Sequence, residues 1–392
     1  MKQDLNKVII IGTDHHNVLG VVRCFGINGI KPYGIIVKND DSPLWVTKSR
    51  YWMKTWVIKD ESEILDVLSR HFEDEERKPV IVCCSDGAMS FVDLNLDRLS
   101  DRFIVPSLNG EQGAITRLMN KEAQAEFLTR HGIPSMRSQI IDSSYRPQEN
   151  EFDYPVILKP VASVEGNKND IVVCDDRGEL EHCLSSLRQA GYNRILVQHF
   201  FSNITEYVLS GAVSRDLISY DVYRNVRQWP AATGTGCYSE LTDDVSVICF
   251  IEPVLSLLQE HGFQGTIDIE FFRDSDSFCV NEINWRTGGR NHVSLYTKEY
   301  SAYFYYLSRI NTGYSHHQNC TRKGFVINEC ADLKNALVSK TVPFSRWISQ
   351  LFSAKSYALW YWKDLKPVFL QKQYIRRIEG FAKSCTKINR FY

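Results

Sequence analysis

No stretch of this 392-residue chain approaches the ~18 consecutive apolar residues that a membrane-spanning helix requires. The run Val8–Ile11 is too short for a signal-peptide core and no small-residue cleavage pattern follows it, so a cytoplasmic protein without a membrane span is expected. No excess of charge is present either: 46 Lys and Arg stand against 47 Asp and Glu, a formal net charge of -1. Such a balance gives no field toward nucleic acid or an anionic membrane, and no nucleic-acid partner is expected. The stretch Lys372–Arg390 departs from it, with Lys372, Arg376, Arg377, Lys383, Lys387 and Arg390 against Glu379; a solvated helix face is its default reading. No CxxC pair exists among the 11 cysteines, and Cys83, Cys84 and Cys249 sit inside apolar runs. Buried free thiols in a reducing compartment are expected rather than disulfides or a metal site. A nicotinamide-binding fingerprint is missing too. Gly12-Thr13-Asp14-His15-His16-Asn17 follows the first apolar run without the second and third glycines that a dinucleotide loop needs.

What is present is a chain long enough for two or three domains. Over roughly the first hundred residues, buried strands alternate with helices. Val8–Ile11, Tyr33–Val37, Trp56–Ile58 and Pro79–Cys84 read as strands, with a helix through Leu19, Val22 and Phe25 and another capped by Ser62. Continuous apolar strands of this kind predict a parallel, doubly wound sheet whose ligands gather at the carboxyl ends of its strands. Thr13–Asn17 and Ser85-Asp86-Gly87 lie at two such ends. Beyond Pro106 the texture changes. A helix is expected over Ile115–His131 and another over Glu179–Ala190, with strands at Pro155–Lys159, Ile171–Val173, Ile195–Gln198, Tyr207–Val213 and Ile218–Tyr223. Thr266–Phe272 and Phe278–Ile283 read as a hairpin across the polar turn Arg273–Ser277. Tyr357–Trp362 is an aromatic helical candidate, expected in the core or at a subunit contact, and His316-His317 is expected at the surface.

Three constellations carry chemistry. Glu270 on one predicted strand, and Glu282 and Asn284 at alternate positions of the next, place two carboxylates and an amide oxygen on one face of a sheet. That is a hard-oxygen set suited to magnesium with phosphate oxygens and water. Arg286 and then Gly288-Gly289-Arg290-Asn291 follow directly. Lys159-Pro160 ends a buried strand, where an ammonium can meet phosphate as a point charge. The small-residue loop Ala162–Lys168 behind it, with Gly166 as its one glycine, is placed to cover the phosphates. Ile195–Phe201 is a strand running into a hinge whose backbone can bond adenine, and Glu206 follows as a holder of ribose hydroxyls.

In this order, Asn120-Lys121, Lys159-Pro160, the hinge with Glu206, and Glu270 followed by Glu282-Ile283-Asn284 resemble the ATP-grasp superfamily of ligases, over roughly 120–291. The fold implied is mixed α/β and α+β. A Rossmann-like pre-ATP-grasp domain over 1–115 precedes ATP-grasp subdomains at 116–200 and 201–318, with antiparallel sheets, and a C-terminal extension at 319–392. The resemblance implies ATP phosphates on Lys121, Lys159 and Ser163, adenine on Gln198, His199, Phe200 and Phe201, and ribose on Glu206. It further implies two Mg2+ ions on Glu270, Glu282 and Asn284, with Mn2+ as a substitute, and Arg286, Arg227 and Arg290 facing the substrate carboxylate. Activation of a carboxylate as an acyl phosphate and its coupling to an amine is the reaction expected, with small-molecule partners and a homodimer on the superfamily's pattern. Within the superfamily, Val156–Pro160, the Arg227, Pro230 and Gly234 segment, and Trp362–Pro367 look nearest to D-aspartate ligase-like members. The alternatives are another acceptor, carboxyphosphate chemistry, or a nucleotide-binding scaffold without turnover. His199, where an acid is common, departs from the pattern.

Overall fold

The computed structural model describes residues 5–136, 138–142, 145–149, 151–152, 154–160, 172–200, 204–230, 234–274, 277–311, 313–318 and 322–371. Ser163, Phe201, the Ala162–Lys168 loop and the basic stretch from Lys372 lie outside these residues. The chain divides into two compact units: Met1–Arg117, Val208–Ile269 and Asn284–Tyr392 form one, and Leu118–Tyr207 with Glu270–Ile283 the other. Among the described residues no helix is long and apolar enough to cross a membrane.

In the first unit, four strands form a parallel sheet in the order Lys54–Ile58, Tyr33–Val37, Val8–Thr13, Val80–Cys83. Val8 to Ile11 are fully buried, as a strand covered on both faces must be, which is why its sequence is continuously apolar. The helix His16–Ile27 starts where the His15 side chain accepts from the Asn17 amide, so His15 is its N-cap. The second helical region opens with a short 3-10 turn, Glu61–Glu63, capped by Asp60 through the Ser62 amide at 2.9 Å. The cap is therefore the Asx residue two positions ahead of the predicted Ser62. Further along this unit, Leu217–Trp229, Thr235–Leu241, Gly324–Ile327 and Ser356–Tyr357 lie side by side, the first three antiparallel. Val8, Ile10, Val18, Val22, Phe25 and Trp45 pack in one core with Tyr305, Tyr306 and Leu359, so the segment after Asn284 completes the core begun by the first strands.

Two expectations for the C-terminal part are corrected. Tyr357–Trp362 is not helical, because the buried carboxylate of Glu329 accepts three successive amides, Ala358 at 3.0 Å, Leu359 at 3.0 Å and Trp360 at 2.6 Å. That bonding holds the chain open where a helix would direct those groups to its own carbonyls. Trp360 and Trp362 are exposed. His316 is only partly exposed and meets Glu299 Oε1 at 2.7 Å, whereas His317 is exposed.

The second unit is built on an antiparallel sheet in the order Ser138–Asp142, Arg194–His199, Val156–Pro160, Val172–Cys174. Leu180, Leu184 and Leu187 of the helix Arg177–Gln189 pack on Val156, Leu158, Ile195 and Val197. The predicted continuous helix over Ile115–His131 is broken, into Ala114–Leu118 and Lys121–Arg130. Asn120 interrupts it: its Oδ1 accepts from Glu122 N at 3.0 Å and Ala123 N at 3.1 Å, which is an N-cap. The segment 277–283 of the strand Ser277–Asn284 is bonded to this unit through Val280, whose N–H donates to Pro134 O at 2.9 Å and whose carbonyl accepts from Met136 N at 2.8 Å.

Candidate active site

Within the second unit, Lys121, Lys159, Glu206, Glu270 and Glu282, all singled out from the sequence, interact with one another. Lys121, presented at the first turn of its helix by the Asn120 cap, donates from Nζ to Glu282 Oε2 at 3.2 Å. Lys159, at the end of its strand, donates to Oε1 of the buried Gln198 at 3.4 Å, and Gln198 is the register partner of Ile157. Burial, then repulsion from Lys121, hold the Lys159 ammonium below the ordinary lysine value, while Glu282, Glu270 and Glu206 pull it back up. Lys159 thus lies in the field of all three acids. Glu270 and Glu282 are partly exposed and alternate with the buried Ile269, Phe271 and Ile283, the period-two pattern of a strand with one polar face. His199 pairs with Val156, and the Phe200 amide donates to Pro155 O at 2.7 Å, which fixes the start of the expected hinge.

In the first unit, the guanidinium of Arg286 is held by three partners. It reaches Asn284 Oδ1 at 3.0 Å, both carboxylate oxygens of Asp86 at 3.1 and 3.3 Å, and the Thr287 carbonyl at 3.3 Å. Asp86 stands in the first turn of the helix Asp86–Leu94, which Ser85 caps, at the carboxyl end of Val80–Cys83. One expected strand-end loop therefore meets one expected catalytic arginine. The two glycines after Thr287 are there for close approach: a Cβ on Gly288 would lie 1.6 Å from Asp268 Oδ2, and one on Gly289 would lie 3.0 Å from His16 Nε2. His16 is neutral, its imidazole pushed well below the ordinary histidine value by burial and then by His15, His292 and Arg290.

The other two arginines are paired within the first unit as well. Arg227 forms a bidentate pair with the buried Asp332 at 2.9 and 2.6 Å, donates to Gln350 Oε1 at 2.8 Å, and lies 4.2 Å from the Tyr238 ring centre. Arg290 donates to Asn225 Oδ1 at 2.6 Å and lies over the Tyr223 ring. Asp86 belongs to a strand-end loop marked out by the sequence, and its pairing with Arg286 is what the sequence does not show. Gln124 has no sequence signal, being a buried amide within an ordinary helical pattern.

The donor chemistry fits magnesium bound with a nucleotide. Among the described residues no three His, Cys, Asp or Glu side chains form a closed metal cluster. Two partly exposed carboxylates, Glu270 and Glu282, suit an ion that keeps water and takes its remaining oxygens from phosphate. The Lys121 ammonium on Glu282 marks the same acid as a cation partner.

No protein-family model matches the chain. It is 25% identical over 309 residues to a D-aspartate ligase of Enterococcus faecium (strain Aus0004), covering 71% of each protein. Among solved structures it is similar to an L-amino acid ligase from Bacillus licheniformis, at a TM-score of 0.62 and 14% identity, over 82% of this chain and 80% of that one. It is also similar to the N5-carboxyaminoimidazole synthetase of Staphylococcus aureus complexed with ADP, at a TM-score of 0.61 and 16% identity, over 88% and 87% of the two chains. These likenesses give the fold, with its mixed parallel and antiparallel sheets.

Proposed function

We propose that this chain, which is similar in sequence to a D-aspartate ligase and in fold to an L-amino acid ligase, is an ATP-grasp enzyme that uses ATP and magnesium to couple the carboxylate of an amino acid or similar small metabolite to an amine. The observation that carries this is the grouping of Lys121, Lys159 and Glu282, with Glu270 and Glu206 acting on Lys159. Two ammonium groups among three acids form a site matched to polyphosphate and a divalent cation together.

A carboxylate resists attack because its charge repels nucleophiles and its oxygen leaves badly. Transfer of the γ-phosphoryl group to it creates a good leaving group, and such transfer depends mainly on positioning and charge neutralisation. Lys121 and Lys159 neutralise the phosphates in this reading, Gln198, His199 and Phe200 seat the base, and Glu206 holds the ribose. Magnesium, when bound, would be held by Glu270, Glu282 and Asn284 and would supply further neutralisation, with Mn2+ as a substitute. Arg286 orients the substrate carboxylate and then bonds the oxyanion as the amine attacks. Arg290, which shares its loop, is a second candidate for the same substrate. Arg227, paired with Asp332, is a further candidate.

Purified protein incubated with ATP, magnesium and pools of amino acids tests the proposal. ADP release that requires magnesium and at least one amino acid is expected. ATP hydrolysis indifferent to every carboxylate, or no binding of ATP, would overturn it.

A further inference from the structure

Helix Lys121–Arg130 and the segment that carries Glu282 are joined by one buried side chain. Gln124, 3% exposed, donates from Nε2 to Leu118 O at 3.1 Å and to Ile283 O at 3.0 Å, and its Oε1 accepts from Ile283 N at 2.8 Å. Its primary amide therefore pairs with both backbone polar groups of Ile283, the residue after Glu282, as a neighbouring strand would. Three residues earlier on the same helix face stands Lys121, whose Nζ reaches Glu282 Oε2 at 3.2 Å. The Lys121–Glu282 pair is about a third exposed on each side. Exposed pairs of this kind hold little by themselves, so the distance between the two charges is set by whatever fixes their backbones. Only a side chain with two N–H donors and an acceptor at this length meets all three backbone groups. Glutamate keeps the shape and lacks the donors, asparagine is too short, and methionine fills the space without bonding.

We propose that Gln124 is a positioning residue of the nucleotide site, which sets Lys121 against Glu282 by pairing its amide with the peptide groups of Ile283; the proposal rests on the ATP-binding reading above. Gln124 touches neither nucleotide nor substrate and acts through Lys121.

The test is a titration of the full-length protein with MgADP, for wild type, Gln124→Met, Gln124→Glu, Lys121→Ala and the double variant Lys121→Ala with Gln124→Met. Circular dichroism and a cooperative melt establish that each is folded. Both Gln124 variants are expected to bind MgADP about tenfold more weakly than wild type, as buried backbone groups lose their partners. In the Lys121→Ala background, Gln124→Met is expected to add less than about twofold, because residues acting through one another are not additive. A purely structural role predicts instead that the two penalties multiply. Folded Gln124 variants that bind within about twofold of wild type, or penalties that multiply fully, would overturn the proposal alone. A wild-type protein that does not bind MgADP would overturn the nucleotide reading, and the proposal with it.

Discussion

Lys121 Nζ lies 3.2 Å from Glu282 Oε2 across 161 residues of sequence, and the proposed nucleotide site is built on this juxtaposition of a capped helix and an alternating strand. As an ion pair, about a third exposed on each side, it contributes only ~0–1 kcal/mol to the fold. Its importance is chemical, and that separation between stability and activity makes it testable. Glu282→Gln is expected to lower magnesium-dependent ADP formation by about a hundredfold or more while shifting the melting temperature by no more than a few degrees. A steady-state assay paired with a thermal melt checks both halves. Retained activity would remove Glu282 from the site.

Lys159 should give opposite pH dependences for stability and for binding. Its native pKa is lowered from the ordinary 10.5, chiefly by burial, so the native protein releases this proton at a lower pH than the unfolded chain does. Between the lowered value and 10.5 the unfolded state binds more protons, and the stability of the nucleotide-free protein gains a rising contribution with pH through that window. MgATP affinity falls over the same window as the ammonium loses its charge. Lys159→Met should remove both slopes. Melting temperatures and dissociation constants measured from neutral pH upward decide the matter, and a binding curve whose slope is unchanged in Lys159→Met would contradict the assignment.

Arg286 is expected to act on the substrate carboxylate and to contribute little to nucleotide binding. Arg286→Met should reduce carboxylate-dependent ADP release by about a hundredfold, with MgADP affinity kept within about threefold of wild type. Kinetics and calorimetry on the same preparation separate the two effects. A loss of MgADP affinity matching the loss of rate would move Arg286 to the nucleotide.

The buried pair of Arg23 and Asp364 yields a prediction about stability. Arg23 Nε donates to Asp364 Oδ2 at 3.0 Å, and the same carboxylate accepts from Ser49 Oγ at 2.7 Å and Arg50 N at 2.9 Å. Asp364→Ala leaves the Arg23 guanidinium buried without its anion and should cost about 3–5 kcal/mol, read as a lower urea midpoint. Specific activity of the folded fraction should be unchanged. A midpoint close to wild type would show that the pair is dispensable.

Much of this was legible in the sequence, for physical reasons. Val8–Ile11 announced a doubly covered strand because every side chain in it is buried, and Glu282-Ile283-Asn284 announced its polar face by strict alternation. Asn120 carries two meanings: beside its place in the Asn120-Lys121 motif, the same amide caps a helix and breaks the run through Ile115–His131. The helix Val245–Glu260 is masked in the sequence by Pro253 inside it, although Val247, Ile251, Val254, Leu255 and Leu258 recur at helical spacing. Tyr357–Trp362 misled because the partner that opens it, Glu329, is remote in sequence. The pairing of Arg227 with Asp332, 105 residues away, has no local signal. Pairings at long range are what local pattern does not encode. Gln124, and the pairing of Asp86 with Arg286, are hidden for the same reason.

The most direct measurement is trapping of the activated carboxylate: purified protein with ATP, magnesium, amino-acid pools and hydroxylamine as surrogate amine. Formation of a hydroxamate together with ADP, lost in Glu282→Gln, is the result predicted, and the mass of the hydroxamate names the carboxylate. ADP release that yields no hydroxamate from any pool would contradict acyl-phosphate chemistry.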